Sequence, residues 1–235
     1  MKDKLLLETK NRTFTQNLII SIFCFLGMFI IPTLVAIILP KFLGANARTI
    51  IGDIVFILIL VLIFYKDLVK EAKTYFKNFK SNFKHSFKLY ILGFIGMVIC
   101  NLFIVTFLKD ISSNESQVRE MLYKNVVTTM ISISIIAPIM EELLFRKSIA
   151  PLFENKWFYV VVSGLLFGSA HILTNFIQGT FVMTDLFYVL PYACLGSSFA
   201  LMDYNTKSTF SSIVIHSLHN TCTAVMLLIT YFGGK

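Results

Sequence analysis

Six polar residues inside long apolar stretches have types and spacings that suit the activation of water. They form three groups along the chain: Glu141, Glu142 and Arg146; His171; His216 and Asn220. Carboxylates and imidazoles transfer protons near neutral pH, and an amide donates hydrogen bonds. Because an ionisable side chain is costly inside a membrane, such residues usually face a cavity or a polar partner. The three groups therefore indicate hydrolysis of an amide bond.

The first group divides two neighbouring carboxylates between two tasks. Glu142 and Arg146 are four residues apart, so they share a helix face and are expected to pair. Glu141 points about 100° away on the same helix, which leaves it free to act as a general base toward water. The alternative is that both glutamates only mark the end of a membrane span, where charge is less costly.

The second group is a histidine beside a face of small residues. His171 follows Phe167 by four positions, and Gly164 and Gly168 have the spacing that lets another helix approach closely. His171 is expected to orient a water molecule or to ligate a metal ion. The alternative is a structural histidine whose hydrogen bonds are satisfied.

The third group combines imidazole and amide side chains. His216 and Asn220 share a helix face, and His219 lies near it. His216 and Asn220 are expected to stabilise the oxyanion of a tetrahedral intermediate, whereas His219 has no assigned role. The alternative is that these residues are polar contacts between helices.

The three groups lie at similar depths if each helix is measured from the turn on one side of the membrane. At the helical rise, Glu141 is about 20 Å from that side, His171 about 25 Å and His216 about 15 Å. We therefore expect the groups to converge inside the membrane, in the half nearer the cytoplasm.

The composition requires helices that span a membrane. Of the 235 residues, 56% are apolar and 14% are charged, with a mean hydropathy of +0.76. A soluble domain carries about 25% charged residues, so most soluble folds and disorder are excluded. The four cysteines form no CxxC pair, which argues against a disulfide framework or a thiolate zinc site.

Apolar segments predict an all-α, polytopic membrane helical bundle of about seven transmembrane helices. The segments are 17–39, 49–65, 89–108, 126–142, 157–176, 186–202 and 209–232. With the N-terminus in the cytoplasm, 15 of the 21 Lys and Arg residues fall on the inner side, which favours an N-in, C-out orientation. The net charge of +8 then indicates anionic lipid headgroups rather than nucleic acid.

Two parts of one domain are expected, 1–124 and 125–235. The first part contains a lysine-rich stretch, about 66–88, in which lysines and apolar residues each recur every three or four positions. This pattern predicts one basic amphipathic helix on the cytoplasmic membrane surface. The alternative is a solvated basic connector.

The three groups resemble, in order, the motif set of the CPBP intramembrane proteases. This family comprises the type II CAAX prenyl endopeptidases and the bacteriocin-processing (Abi) enzymes. The resemblance rests on three motifs: Glu141-Glu142-x-x-x-Arg146, Phe167-x-x-x-His171 and His216-x-x-x-Asn220. It covers about 126–228 and implies a four-helix catalytic core, with the first three helices outside it. It also implies an integral membrane endopeptidase in the cell membrane, acting on a peptide or membrane-protein substrate.

The resemblance also implies a role for each motif residue. Glu141 corresponds to the base, Glu142 and Arg146 to its supporting pair, and His171 to the histidine that works with the base. His216 and Asn220 correspond to the pair that stabilises the oxyanion, and Phe167 to a packing aromatic. The resemblance implies these roles, and they agree with the chemistry of the side chains.

A metalloprotease and a glutamate-dependent mechanism both remain open. His171, His216 and Glu141 would give a divalent metal such as zinc three ligands and one open position. The sequence has no HExxH, in which helix geometry places two ligands and the base.

Other functions on the same fold are alternatives. A non-enzymatic bacteriocin-immunity or membrane regulatory protein would not need the six polar residues. A small transporter would use Glu141 and His171 as a proton relay. The use of 17 lysines and 4 arginines favours a bacterial plasma membrane and a bacterial peptide or membrane-protein substrate.

Overall fold

The protein is a bundle of helices in the part of the chain that the computed structural model describes, residues 12–108, 112–177 and 179–233. Within these ranges the helices are α1 (Phe14–Ile38), α2 (Ala45–Lys77), α3 (Phe79–Leu108), α4 (Ser113–Lys124), α5 (Val126–Leu152), α6 (Lys156–Ile177), α7 (Asp185–Thr206) and α8 (Thr209–Gly233). All except α4 are long and apolar enough to cross a membrane. The predicted class, an all-α multi-pass membrane protein with seven spanning helices, is confirmed.

Local sequence signals set several helix boundaries. The Thr13 hydroxyl accepts from the Gln16 N–H while the Gln16 side chain accepts from the Thr13 N–H, which caps the start of α1. Ser112 caps α4 in the same manner by accepting from the Glu115 N–H. Lys207 ends α7 in the left-handed conformation, with φ of 55°.

The single basic helix predicted over 66–88 is wrong, because the structure divides this stretch between two helices. α2 ends at Lys77, Asn78 leaves the helical conformation with φ of −113°, and α3 begins at Phe79. The Asn82 side-chain amide donates to the Tyr75 carbonyl across this corner. All seven lysines stay exposed: Lys66, Lys70, Lys73, Lys77, Lys80, Lys84 and Lys88. Of the other basic residues used to predict the orientation, Lys2, Lys4, Lys10, Lys109 and Lys235 lie outside the described residues.

α6 and α7 pack closely through the small residues that the sequence singled out. A Cβ added to Gly164 would lie 2.1 Å from the Ser197 hydroxyl oxygen, and one added to Gly168 would lie 2.4 Å from the Val189 carbonyl oxygen. Gly196 of α7 faces the ring of Phe167 in the same contact. The absence of side chains at these glycines lets the α6 motif approach α7 directly.

α5 is central to the bundle and is not a uniform α-helix. Two of its turns are π-helical, Ser132–Ile136 and Leu143–Ser148, and they flank the regular turn Ala137–Glu142 that carries both glutamates. Such wide turns change which carbonyl each N–H reaches and are frequent at functional sites.

Side-chain hydroxyls complete the backbone pairing of the second wide turn. The Ser163 hydroxyl donates to the Phe145 carbonyl at 2.7 Å, and the Ser148 hydroxyl donates to the Leu144 carbonyl at 2.6 Å. The Ser21 hydroxyl of α1 donates to the Ser148 carbonyl at 2.7 Å. Hydroxyls from α1, α5 and α6 therefore hold the irregular part of α5 in place.

Candidate active site

A pocket of about 650 Å³ brings together residues from all three polar groups. Its lining includes the following polar side chains: Glu141, His171, His216, His219 and Asn220. Most of the remaining wall is apolar or aromatic and comes from α3, α5, α7 and α8. The structure therefore brings four of the six predicted residues to one cavity, and the other two, Glu142 and Arg146, lie behind its wall.

Glu142 and Arg146 form the ion pair that their spacing predicts. Arg146 Nε is 3.1 Å from Glu142 Oε2, and neither side chain has exposed surface. The guanidinium of Arg146 also donates to the Gly196 carbonyl at 3.0 Å. It lies 4.8 Å and 5.6 Å from the ring centroids of Phe167 and Phe199. α5 continues beyond this pair to Leu152, so Glu142 lies within the helix and not at its end.

His216 lies between the two glutamates. Its Nδ1 is 2.8 Å from Glu142 Oε1, and its Nε2 is 3.8 Å from Glu141 Oε2. A carboxylate only accepts, so Nδ1 carries the hydrogen and donates it to Glu142. The ring stacks on Phe199 with a centroid distance of 4.8 Å. Glu142 and Phe199 together direct His216 Nε2 toward Glu141. One water molecule can then contact both His216 Nε2 and Glu141 Oε2.

His171 is oriented by its own helix and by an aromatic neighbour. Its Nδ1 donates to the Phe167 carbonyl at 2.8 Å, which leaves Nε2 as the acceptor of the neutral ring. The ring stacks on Tyr192 of α7 with a centroid distance of 4.0 Å and an interplanar angle of 17°. Tyr192 was not identified from the sequence, because it belongs to none of the motifs.

Asn220 makes a contact that its motif does not indicate. Its side-chain Nδ2 donates to the backbone carbonyl of Ile133 in α5 at 2.8 Å. One of the two amide hydrogens is therefore engaged inside the protein, on the turn that precedes Glu141.

His219, which had no predicted role, lies on the pocket wall. Its Nδ1 is 3.0 Å from the Tyr90 hydroxyl of α3, and its ring contacts those of Tyr90 and Phe94. A helix outside the resemblance thus helps to form the pocket.

The proposed zinc ligands do not form a metal-binding group in this arrangement. Across the described part of the chain, no three His, Cys, Asp or Glu side chains are placed to hold one ion. The Nδ1 atoms of His216 and His171 are engaged in hydrogen bonds, with Glu142 and with the Phe167 carbonyl. The two Nε2 atoms remain as the nitrogens that a metal ion could bind, and metal dependence stays a prediction.

The pocket extends away from the lysine-rich corner. Its lining includes Ser112, Glu115, Val118 and Arg119 of the α4 region, and α4 follows the far end of α3. Glu115 and Arg119 form an ion pair at this end of the pocket. The cavity thus reaches from Glu141 to the end of the bundle opposite the α2–α3 corner.

A second buried charged cluster, the Lys147 cluster, was missed by the sequence analysis. Its core is an ion pair between Lys147 of α5 and Glu71 of α2, with Asp67 Oδ2 3.9 Å from Lys147 Nζ. Glu71 Oε2 also accepts from the Thr209 N–H at the start of α8. Lys147 is one of the 15 basic residues that the orientation prediction assigns to the inner side, but its side chain is completely buried. Its partner is 76 residues away in sequence, so no local spacing indicated the pair.

Asp203 of α7 completes the Lys147 cluster. Its two carboxylate oxygens accept from the Tyr159 hydroxyl and the Thr209 hydroxyl, each at 2.9 Å. Both acceptor atoms are therefore engaged, and the Asp203 side chain is fully buried.

Comparison with known proteins shows which family the segment around this site resembles. Residues 123–222 match the family model described as Type II CAAX prenyl endopeptidase Rce1-like. This stretch holds all six predicted site residues, so the resemblance predicted from the motifs is confirmed. The chain is also 34% identical over 98 residues to the protein named "Putative membrane peptidase YdiL" of Bacillus subtilis (strain 168). That alignment covers 40% of this chain and 35% of the relative. No solved structure matches the chain significantly.

Proposed function

We propose that this protein is an intramembrane endopeptidase that cleaves a membrane-associated peptide or protein with a water activated by Glu141. The observation that carries the proposal is the convergence of Glu141, His171 and His216 on one pocket. Behind the wall of this pocket, the completely buried Glu142–Arg146 pair holds the His216 ring. The match of this segment to a family of membrane endopeptidases supports the same conclusion.

In the proposed reaction one proton is transferred twice, first from water to Glu141 and then from Glu141 to the leaving nitrogen. The Glu141 carboxylate takes a proton from water, and the water oxygen forms a bond with the carbonyl carbon of the substrate. His171 orients the water by accepting one of its hydrogens at Nε2. His216 in its protonated form carries a hydrogen on each ring nitrogen, so that it donates from Nδ1 to Glu142 and from Nε2 to the oxyanion that develops on the substrate. The C–N bond then breaks, and the leaving nitrogen takes the proton from Glu141.

The pocket wall suggests which residues flank the cleaved bond. Phe94, Met97, Ile104, Leu195 and Leu227 supply apolar surface to the cavity. Apolar side chains on either side of the bond would bury surface there, which is worth about 25 cal/mol for each Å² removed from water.

The orientation follows from the lysine-rich corner. We place the seven exposed lysines of α2 and α3 in the cytoplasm, where they contact anionic headgroups. The α4 end of the pocket then faces the opposite side of the membrane.

The decisive experiment measures cleavage by purified protein. The wild-type protein and the Glu141→Gln variant are reconstituted with solubilised membranes of the expression host, and new peptide N-termini are identified by mass spectrometry. We expect new N-termini only with the wild type, since general base catalysis contributes about 100-fold to 10,000-fold in rate. Glu120→Gln is the matched control, because Glu120 lies on the exposed face of α4 and is paired with Lys124.

The same assay separates the open alternatives. Cleavage that persists in 1,10-phenanthroline favours the glutamate-dependent mechanism, and cleavage that the chelator abolishes favours a metalloprotease. If wild type and Glu141→Gln give the same N-termini, Glu141 is not the base and the proposal fails. If the wild-type protein cleaves nothing, the result favours the non-enzymatic immunity or regulatory alternative.

A further inference from the structure

The register of α5 around Pro138 determines which backbone donor the Ile133 carbonyl can reach. In the wide turn Ser132–Ile136, the Ala137 N–H donates to the Ser132 carbonyl, five residues earlier. In this register the Ile133 carbonyl would accept from residue 138. Residue 138 is a proline, which has no N–H, so the helix leaves this carbonyl unpaired.

Asn220 of α8 supplies the missing donor. Its Nδ2 lies 2.8 Å from the Ile133 oxygen, and the two residues are 87 positions apart in sequence. An unpaired carbonyl in apolar surroundings is destabilising, so buried carbonyls nearly always find a partner. The side-chain amide therefore replaces the backbone hydrogen bond that Pro138 removes.

This contact lies on the same face of α5 as the proposed base. Ile133, Ala137 and Glu141 follow one another at intervals of four residues, and all three line the pocket. α8 holds this face at two levels, through His216 at the glutamates and through Asn220 at the Ile133 carbonyl. The two levels are set by residues four positions apart on α8, which is about 6 Å along that helix. Two fixed points determine the rotation of α5 between them and, with it, the direction of Glu141.

We propose that Asn220 is a positioning residue: it pairs the carbonyl orphaned by Pro138 and thereby directs the Glu141 carboxylate into the pocket. In this role the engaged hydrogen of its amide acts on α5 rather than on the reacting carbonyl group of the substrate. The catalytic consequence rests on the proposed peptidase function, whereas the exchange of hydrogen bonds does not.

A double-mutant cycle between Asn220 and Pro138 tests the proposal. Pro138→Ala restores an N–H at the position where the Ile133 carbonyl lacks one. In the wild-type background we expect Asn220→Ala to lower kcat/KM about 10-fold to 100-fold, as a small misplacement of a catalytic group does. In the Pro138→Ala background the same change should cost less than about threefold. Equal losses in the two backgrounds would mean that Asn220 acts on the substrate, and they overturn the proposal.

The midpoint of thermal unfolding gives a second measurement that needs no substrate. In detergent, Asn220→Ala should lower the midpoint, and Pro138→Ala should remove at least half of that shift. A midpoint that Asn220→Ala leaves unchanged, or lowers equally in both backgrounds, contradicts the proposal even if Pro138→Ala is inactive. Because this cycle is independent of cleavage, a failure of the peptidase function and a failure of the Asn220 proposal give different results.

Two further variants serve as controls. Asn220→Leu keeps the approximate size of the side chain but removes the donor, so it should match Asn220→Ala in both measurements. A Leu variant with wild-type activity and midpoint would contradict the proposal. His216→Ala should abolish cleavage equally with Pro138 and with Ala at position 138, since its contacts do not involve the Ile133 carbonyl.

Discussion

Two neighbouring residues of α5 are both buried cations, but they belong to two different clusters. Arg146 pairs with Glu142 behind the pocket wall, and Lys147 pairs with Glu71 of α2. Neither cation has any exposed side-chain surface, so both have lost their hydration and both depend on their partners. The clusters differ in what lies next to them. The Glu142–Arg146 pair adjoins Glu141, whose side chain is 20% exposed and lines the cavity.

Acceptor atoms in the Lys147 cluster are engaged with other protein groups. Glu71 binds Lys147 and the Thr209 N–H, and Asp203 binds the Tyr159 and Thr209 hydroxyls. A buried charge therefore does not by itself indicate chemistry. A reacting site also needs a cavity and a carboxylate directed into it.

The Lys147 cluster has a structural task that the pocket does not share. It joins Asp67 and Glu71, which lie outside the segment matched by the family model, to Lys147, Asp203 and Thr209 inside it. The N-terminal helices are thereby anchored to the segment that carries the motifs.

The largest effect is expected from Arg146→Met, which removes the cation next to the pocket. It leaves the buried Glu142 carboxylate without its arginine partner, and breaking a buried pair costs about 3–5 kcal/mol. Since Glu142 also holds His216, cleavage should fall by about 100-fold or more. Both the free energy of unfolding and kcat/KM are measured on purified protein. Arg146→Lys is the conservative control, and it should rescue little because a lysine loses the planar contacts with Phe167 and Phe199.

Lys147→Met should separate stability from activity. It breaks a pair of equal burial, so a loss of about 3–5 kcal/mol is expected, but turnover per folded molecule should stay within about threefold of the wild type. The double variant Lys147→Met/Glu71→Gln removes both charges and keeps an acceptor for the Thr209 N–H. It should recover most of the stability. A fully folded Lys147→Met protein without activity would show that the two clusters are one functional unit.

A smaller effect is expected from Gly168→Ala, which tests the packing that holds His171. The added Cβ would lie 2.4 Å from the Val189 carbonyl oxygen, so α6 and α7 must separate, at a cost of about 1–3 kcal/mol. Thermal unfolding and kcat/KM report on the two consequences. Gly233→Ala is the control, because nothing lies within 4 Å of its added Cβ.

The smallest effect is expected from Glu120→Gln, in an exposed pair. The hydrogen bond and the charge of Lys124 lower the pKa of the Glu120 carboxyl. A lowered pKa favours the folded state above the ordinary pKa of glutamate and loses this contribution as the pH falls. Solvent screens the pair, so we expect an unchanged unfolding midpoint at pH 7 and at pH 4. A shift as large as that of Lys147→Met would contradict the distinction between exposed and buried pairs.

The sequence predicts those features that depend on local spacing. Apolar length identified the seven spans, and the four-residue interval identified the Glu142–Arg146 pair. The small residues at 164 and 168 identified the close helix contact. In each case the residues that interact, or that form one surface, belong to one helix, so its geometry is sufficient.

Features that depend on distant parts of the chain were not predictable in this way. The partner of Lys147 lies on α2, and the acceptor of Asn220 is a backbone carbonyl that no residue type reveals. The corner at Asn78 interrupts the lysine pattern without a proline or glycine. Side chains that point to exposed surface keep the same period on both sides of such a corner, so periodicity predicts one helix where there are two.

The two wide turns of α5 affect how this chain should be aligned with others. A π-helical turn holds one residue more than an α-helical turn, while the helix continues in nearly the same direction on both sides. A related chain that lacks one residue within Ser132–Ile136 can therefore form a regular helix and still present its glutamates to the same neighbours. Alignments of this segment should accept a gap of one residue there. Positions upstream of the gap should be matched by counting from the start of α5, and those downstream by counting from Glu141.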